Sequence, residues 1–164
     1  MTFETSIILF KLILMGGLGL WLAVVVLNNS IAFRNGVYSV GSMMAMQLFD
    51  QEPAIKTPLL SRRVTAVGWH RLIYGFVLLV EIVVMVLLLY AALGYAGAGL
   101  GSIDLGEATL RANLALSGLL AMSFIMLLGG AWFAYYIRQE GAQITHLVLI
   151  VAAIGGFIAA NLAP

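Results

Sequence analysis

One stretch limits what this chain can fold into more than any other. After its first residue, Arg71, the stretch 71–95 contains only apolar and aromatic side chains and one carboxyl group, Glu81. As a helix rising ~1.5 Å per residue it would cross a hydrocarbon core of ~30 Å, with Glu81 ~15 Å deep, near the midplane. A carboxyl group at that depth is costly unless it is protonated, paired or facing water. The stretch therefore predicts a transmembrane helix with a buried polar contact.

The composition extends this interpretation to the whole chain. Of its 164 residues, 63% are hydrophobic and 9% are charged, and the charges gather in short groups between long neutral runs. This distribution is typical of a polytopic membrane protein. A net charge of +1 gives no basic patch for nucleic acid, and the absence of cysteine excludes disulfides and thiolate metal sites. We expect a single integral membrane domain over residues 1–164, with the lipid bilayer as partner and no nucleic acid.

Four apolar runs are long enough to span a bilayer, at residues 6–27, 71–95, 113–137 and 145–162. The first run is expected to be retained, because Glu4 disrupts a basic n-region and no small-residue cleavage pattern follows. Its one charged residue, Lys11, is expected to extend its amine to the interface. The predicted fold class is therefore all-α membrane, a four-transmembrane-helix bundle.

The first connection is long and contains an apolar segment, residues 36–49, that is too short to span the membrane. Val37, Val40 and Met44 recur at helical spacing, which predicts an interfacial helix. Such a helix could cap the bundle or contact a ligand.

The second connection is rich in glycine at residues 97–101. A phosphate cradle would need a preceding strand and a following Gly-Lys-Ser/Thr, and the chain has neither at this place. The segment therefore predicts a flexible loop before the third span.

Small residues at helical spacing predict where helices pack closely. They form sets on the first, third and fourth spans: Gly16, Gly19 and Ala23; Gly129 and Gly130; Ala152, Gly156 and Ala160. Without side chains that hold backbones apart, these positions are expected at helix–helix contacts.

The distribution of Lys and Arg predicts the orientation in the membrane. Six of the eight basic residues lie in or beside the first and third connections: Arg34, Lys56, Arg62, Arg63, Arg71 and Arg138. This bias predicts that these two connections are cytoplasmic and that both termini are periplasmic.

Two histidines begin the second and fourth spans, His70 and His146, and could be axial ligands of a haem b held between helices. A quinone pocket near Trp132 is a related possibility. Interfacial histidines and an aromatic belt explain these residues more simply, so no cofactor is predicted and haem b stays an alternative.

Glu81 has two interpretations. It could be a neutral carboxyl group that bonds a neighbouring helix, with Tyr74, Asn113, Ser117 or Ser123 as partner, or a proton carrier. The structural role is favoured because no second carboxylate and no arginine is expected at its depth.

A series of short motifs also resembles a known family: Asn28-Asn29, Trp69-His70-Arg71, Glu81, Gly129-Gly130-Ala131-Trp132-Phe133 and Gln139-Glu140-Gly141-Ala142-Gln143. The chain resembles, over nearly its whole length, an uncharacterised bacterial family of predicted small integral membrane proteins. The resemblance implies four helices and a bacterial inner membrane, and it implies no activity. The third span of that family usually reads Gly-Gly-Glu-Trp-Phe, so Ala131 replaces an acid that would be a second carboxyl group.

Three functional hypotheses follow. The favoured one is a non-catalytic accessory subunit that packs in a larger bacterial inner-membrane complex, with electron transport as one setting. The alternatives are a haem b- or quinone-binding membrane anchor that uses His70 and His146, and a small proton-coupled transporter centred on Glu81.

Overall fold

A computed structural model describes residues 2–162. The five α-helices are α1 (Phe3–Ile31), α2 (Phe33–Met44), α3 (Val67–Gly99), α4 (Leu105–Trp132) and α5 (Glu140–Asn161). Short 3-10 helices cover Gln47–Asp50, Pro58–Arg62 and Tyr135–Ile137, and none of residues 2–162 lies in a strand. Helices α1, α3, α4 and α5 are long and apolar enough to cross a membrane. The predicted all-α, four-helix membrane bundle is confirmed.

The four long helices pack side by side in the order α1, α3, α4, α5. The core lies between these helices and draws on all four of them. Its fully buried side chains include Met15, Leu22, Leu88, Leu116, Leu119 and Met122. Large apolar side chains on the outer faces remain exposed, such as Leu20 on α1 and Val151 on α5. In a bilayer these faces contact lipid or other membrane proteins, because both are as apolar as the side chains themselves.

Helix α2 continues the course of α1 along α3 after a break at Ala32. Gly36 lies against the ring of Tyr74, and a Cβ added at Gly41 would lie 2.5 Å from Nδ1 of His70. The contact at His70 is closer to the start of α3 than the contact at Tyr74. Together, α1 and α2 therefore follow almost the whole length of α3.

The predicted segment 36–49 is helical through Met44, and Val37 and Met44 face the protein. Because α2 packs along α3, the structure shows a helix that belongs to the bundle. Its position in the membrane interface stays a prediction.

The prediction of a flexible loop at residues 97–101 was wrong. Helix α3 continues through Gly99. Within residues 97–101, only Gly101 has a left-handed backbone, with φ of 72°. The side chain of Asp104 then begins α4 by accepting a hydrogen bond of 2.8 Å from the amide of Gly106. A capped, short connection replaces the expected loop, so α4 begins at Leu105 rather than at residue 113.

The end of α4 also differs from the predicted span of 113–137. The helix ends at Trp132, and Ala134 has a left-handed backbone with φ of 52°. Tyr135–Ile137 then forms a separate 3-10 helix. The sequence contains no glycine or proline at this point, so nothing local indicated the end of the helix.

The first and third connections pack against each other and form a second, smaller core. Its buried residues are Met46, Phe49 and Ala134, and partly buried neighbours include Ile55, Leu59, Leu60, Phe133 and Ile137. We call this region the loop cap. The first connection is therefore a cap over one end of the bundle, which is one of the two roles that the sequence left open.

The small residues fall on helix contacts in some cases and on open surface in others. A Cβ at Gly19 would lie 2.8 Å from Leu89, and one at Gly156 would lie 2.8 Å from Leu116. A Cβ at Gly16 would lie 3.8 Å from the Cβ of Ala92.

Other small residues divide in the same way. Ala160 is buried, whereas Ala23 on α1 is only half-buried. Ala152 is also half-buried, because its neighbour Ala153 takes the inner position on α5. Gly130 packs under the ring of Tyr135, and the adjacent Gly129 has open space beside it.

Candidate functional site

The carboxyl group of Glu81 is bonded to the first helix. Glu81 is 7% exposed, and its Oε2 accepts a hydrogen bond of 2.8 Å from Nδ2 of Asn29 on α1. The hydroxyl of Tyr74 donates to the backbone oxygen of Asn29 at 3.2 Å, and the ring of Phe33 packs on Tyr74. We call Asn29, Phe33, Tyr74 and Glu81 the Glu81 cluster. It ties α1 to the middle of α3.

The expected contact between two helices is present, but the partners predicted on α4 were wrong. Ser123 donates to a carbonyl within α4, and Asn113 pairs with Asn161 on α5. Ser117 is exposed. Sequence reasoning missed Asn29 because it ends the first apolar run, where a polar residue would ordinarily meet water. The continuation of α1 into α2 instead places Asn29 beside the middle of α3.

Position 131, the place of the missing acid, is far from Glu81 along the bundle. The antiparallel register of α3 and α4 puts Gly118 beside Val84. Counting from that contact, Ala131 lies about ten residues, or ~15 Å, from the level of Glu81. A carboxyl group at position 131 would therefore not pair directly with Glu81.

His70 is held between α2 and the segment before α3. It is 7% exposed, and its Nε2 lies 2.8 Å from the backbone oxygen of Val64, which makes this nitrogen the donor. The remaining nitrogen, Nδ1, faces the backbone of Gly41, where even a Cβ would be only 2.5 Å away. An iron–nitrogen bond needs open space at that nitrogen, so His70 does not fit the role of a haem ligand.

His146 is bonded in a different part of the molecule. The hydroxyl of Tyr135 lies 3.1 Å from its Nδ1, and the two rings stack with centroids 5.7 Å apart. Burial raises the pKa of Tyr135, so the phenol keeps its proton. The two histidines therefore bond different segments of the chain, His70 the segment before α3 and His146 the short helix after α4.

Trp132 contributes to the loop cap. Its ring lies beneath the guanidinium of Arg62, 4.4 Å from the centroid, and its backbone oxygen accepts a hydrogen bond from the same group at 3.1 Å. Arg138 donates to the backbone oxygen of Pro53 at 2.7 Å. These bonds join the first connection to the third, so Trp132 contributes to the packing of the loop cap.

Lys11 bonds the end of the last helix. Its side chain is 2% exposed, and its Nζ donates to the backbone oxygen of Leu162, the residue after α5, at 3.0 Å. The extension of the amine to the membrane interface stays a prediction. The ring of Tyr95 lies 5.9 Å from Nζ. Within residues 2–162, neither of the two ion pairs includes Lys11.

Across the described chain, residues 2–162, no three His, Asp or Glu side chains are close enough to hold a metal ion. Glu81, His70 and His146 each use a polar atom to bond another segment of the same chain. The arrangement is that of polar contacts that fix helix positions.

Comparison with known proteins agrees with the fold. Residues 7–163 match the family model described as predicted small integral membrane protein (DUF2165). The chain belongs to this family. It is therefore an integral, multi-pass helical membrane protein, as the motifs indicated. No curated protein and no solved structure is similar to it at a significant level.

Proposed function

We propose that this member of the DUF2165 family is a non-catalytic accessory subunit of a larger assembly in the bacterial inner membrane. The observation that carries the proposal is an unoccupied helix face at one edge of the bundle. Helix α5 packs mainly on α4, and the opposite side of α5 exposes Val148, Val151, Gly155 and Ile158. We call these four residues the α5 outer face.

Gly155 is the unusual member of this face. A glycine inside a helix is less favourable than alanine by about 1 kcal/mol, and a close helix contact can compensate for that cost. At Gly19 and Gly156 the chain itself supplies such a contact, whereas Gly155 has no atom within 4 Å of an added Cβ. A glycine surrounded by large apolar side chains is suited to close approach of a second transmembrane helix.

The hydrogen bonds of the buried polar groups support a role in helix packing rather than in catalysis or proton transport. Glu81 ties α1 to α3, and the two histidines fix the connections. A proton carrier would need a carboxyl group free to exchange with water, and the contact with Asn29 favours a fixed one.

The proposal includes an orientation. The basic residues of the loop cap favour the cytoplasmic side for the first and third connections, which puts both termini in the periplasm. Cysteine substitutions at Lys56 in the loop cap and at Thr2 near the other end would test this. Only the Thr2→Cys variant is expected to react with an impermeant maleimide in intact cells.

The central experiment is quantitative co-purification in a mild detergent. Gly155→Leu would place a large side chain at the centre of the α5 outer face and is expected to remove the co-purifying membrane proteins. Ala121→Leu, at an exposed position on α4, is the matched control and is expected to retain them.

Both variants should melt at the wild-type temperature, since neither position is buried. A wild-type protein that purifies as a monomer without partners would contradict the proposal. Equal retention of partners by Gly155→Leu and Ala121→Leu would contradict the assignment of the α5 outer face.

A further inference from the structure

The terminal end of the bundle contains a buried cation whose needs the described chain only partly meets. Lys11 is 2% exposed, and its ammonium group carries three N–H donors. One of them is used by the backbone oxygen of Leu162 at 3.0 Å. A carbonyl group satisfies a donor but does not neutralise the charge. A buried ammonium group is costly unless an anion or water lies beside it.

A cavity of about 450 Å³ lies next to this ammonium group. Besides Lys11, its polar lining consists of Thr109 and Asn113 from α4 and Asn161 from α5. The two asparagines hold each other through hydrogen bonds of 2.7 and 3.1 Å. The Asn161 amide also donates to the backbone oxygen of Phe157 at 2.8 Å, so both of its N–H groups are in use. The donors left for a ligand are the ammonium group of Lys11, the hydroxyl of Thr109 and one N–H of Asn113, a set that suits an oxyanion.

A separate apolar groove of about 230 Å³ lies nearer the middle of the bundle. On α4 the lining passes from Asn113 to Ser117 and Leu120, and on α5 it passes from Asn161 to Phe157. These residues are three or four apart, so they lie on one face of each helix. The polar cavity and the apolar groove lie in succession along the α4–α5 contact, and we call the two together the α4–α5 channel.

We propose that this channel binds an anionic phospholipid, with its phosphate beside Lys11 and one acyl chain along the α4–α5 groove. A phosphodiester carries one negative charge and matches the single charge of Lys11. Its apolar chain matches the groove, whereas a free inorganic anion would leave the groove unused. The site lies away from the α5 outer face, so it stands independently of the proposed subunit contact.

The test is lipid titration of the purified protein, measured by native mass spectrometry. The protein is delipidated in a neutral maltoside detergent and titrated with phosphatidylglycerol. The wild-type chain is expected to bind one lipid at least tenfold more tightly than the Lys11→Met variant. Arg111→Met is the matched control, since Arg111 is basic and at the same end but bonds Glu107 and the ring of Tyr90. It is expected to bind like the wild type.

A second variant keeps the test decisive if Lys11→Met unfolds. Ser117→Trp fills the groove, leaves Lys11 in place and changes an exposed residue. It is expected to weaken phosphatidylglycerol binding severalfold. Diacylglycerol with the same chains lacks the phosphate and is expected to bind no better to wild type than to Lys11→Met.

Three results would overturn the proposal. The first is equal phosphatidylglycerol binding by the wild-type protein, Lys11→Met and Ser117→Trp. The second is diacylglycerol binding as tight as that of phosphatidylglycerol. The third is full displacement of the lipid by millimolar inorganic phosphate together with unchanged binding to Ser117→Trp, which would assign the cavity to a free anion.

Discussion

The two ends of the bundle differ in how the connections between helices cover them. At the loop cap, the connections fold over the helix ends and bury Met46, Phe49 and Ala134. At the terminal end, a short connection leaves a polar cavity beside Lys11. One end is covered by docked connections, and the other leaves a cavity into which Lys11 and three further polar side chains open.

The basic residues show the difference most clearly. In the loop cap, Arg62, Arg63 and Arg138 bond Trp132, Asp50 and Pro53, so each guanidinium links two segments. At the terminal end, Lys11 is more deeply buried and bonds one backbone oxygen. The comparison teaches that the guanidinium groups of the loop cap join segments of the chain, whereas the ammonium group of Lys11 bonds one backbone oxygen beside a cavity.

The largest expected effect is the removal of an aromatic ring from the loop cap. Phe49 is 3% exposed, and Phe49→Ala is expected to lower the free energy of unfolding by about 3–5 kcal/mol. Denaturant titration in detergent micelles measures the change. Phe10→Ala removes a ring that is 56% exposed and should change stability much less. Equal losses in the two variants would remove the distinction between a packed cap and an outer face.

An intermediate effect is expected for a pair of adjacent glycines near the loop cap. A Cβ at Gly130 would lie 2.5 Å from the ring of Tyr135, so Gly130→Val should cost about 1–3 kcal/mol through overpacking. The Gly129→Val variant meets open space and should stay close to the wild type. Limited trypsin digestion at Lys56 gives an independent measure, since a loosened cap would be cut faster. Similar digestion rates for both variants would argue against the close packing of Tyr135.

The Glu81 cluster lies between the two ends and tests whether they are independent. Glu81→Leu leaves the Asn29 amide without its acceptor and should lower the free energy of unfolding by about 1–3 kcal/mol. Glu81→Gln keeps an oxygen for Asn29 and should lose about 1 kcal/mol or less. Neither substitution should change trypsin cleavage in the loop cap. If Glu81→Gln were as destabilising as Glu81→Leu, the role of Glu81 as an acceptor for Asn29 would be wrong.

The smallest effect is expected at the terminal end. Asn161 is exposed at the cavity, where water can replace its bond to Asn113, so Asn161→Ala should cost about 0.5–1 kcal/mol. Thermal melting in detergent is sensitive enough to compare it with Phe49→Ala. A loss as large as that of Phe49→Ala would mean that this end is as tightly packed as the loop cap.

Hydropathy was sufficient to predict the number and type of long helices, because crossing a bilayer requires long apolar runs. It could not predict the contacts of Asn29 or Lys11. The contact of Asn29 depends on how far α1 continues beyond its apolar run. The contact of Lys11 depends on which helix end lies beside it. The glycine pair shows the same limit. Gly129 and Gly130 are equivalent in sequence, but a helix turns about 100° per residue, so only Gly130 meets Tyr135.

The left-handed backbone of Ala134 has a consequence for how α4 acquires its length. A non-glycine residue in this conformation costs about 1–2 kcal/mol, and the surrounding sequence contains no helix-ending signal. Ala134 is buried against Met46 and Phe49, so we expect the docked connections to hold it in that conformation and to end the helix at Trp132. A peptide of residues 105–139 in micelles, which lacks the first connection, should give helical NMR shifts through Ile137. The length of α4 is then a property of the assembled bundle, acquired only when the loop cap closes.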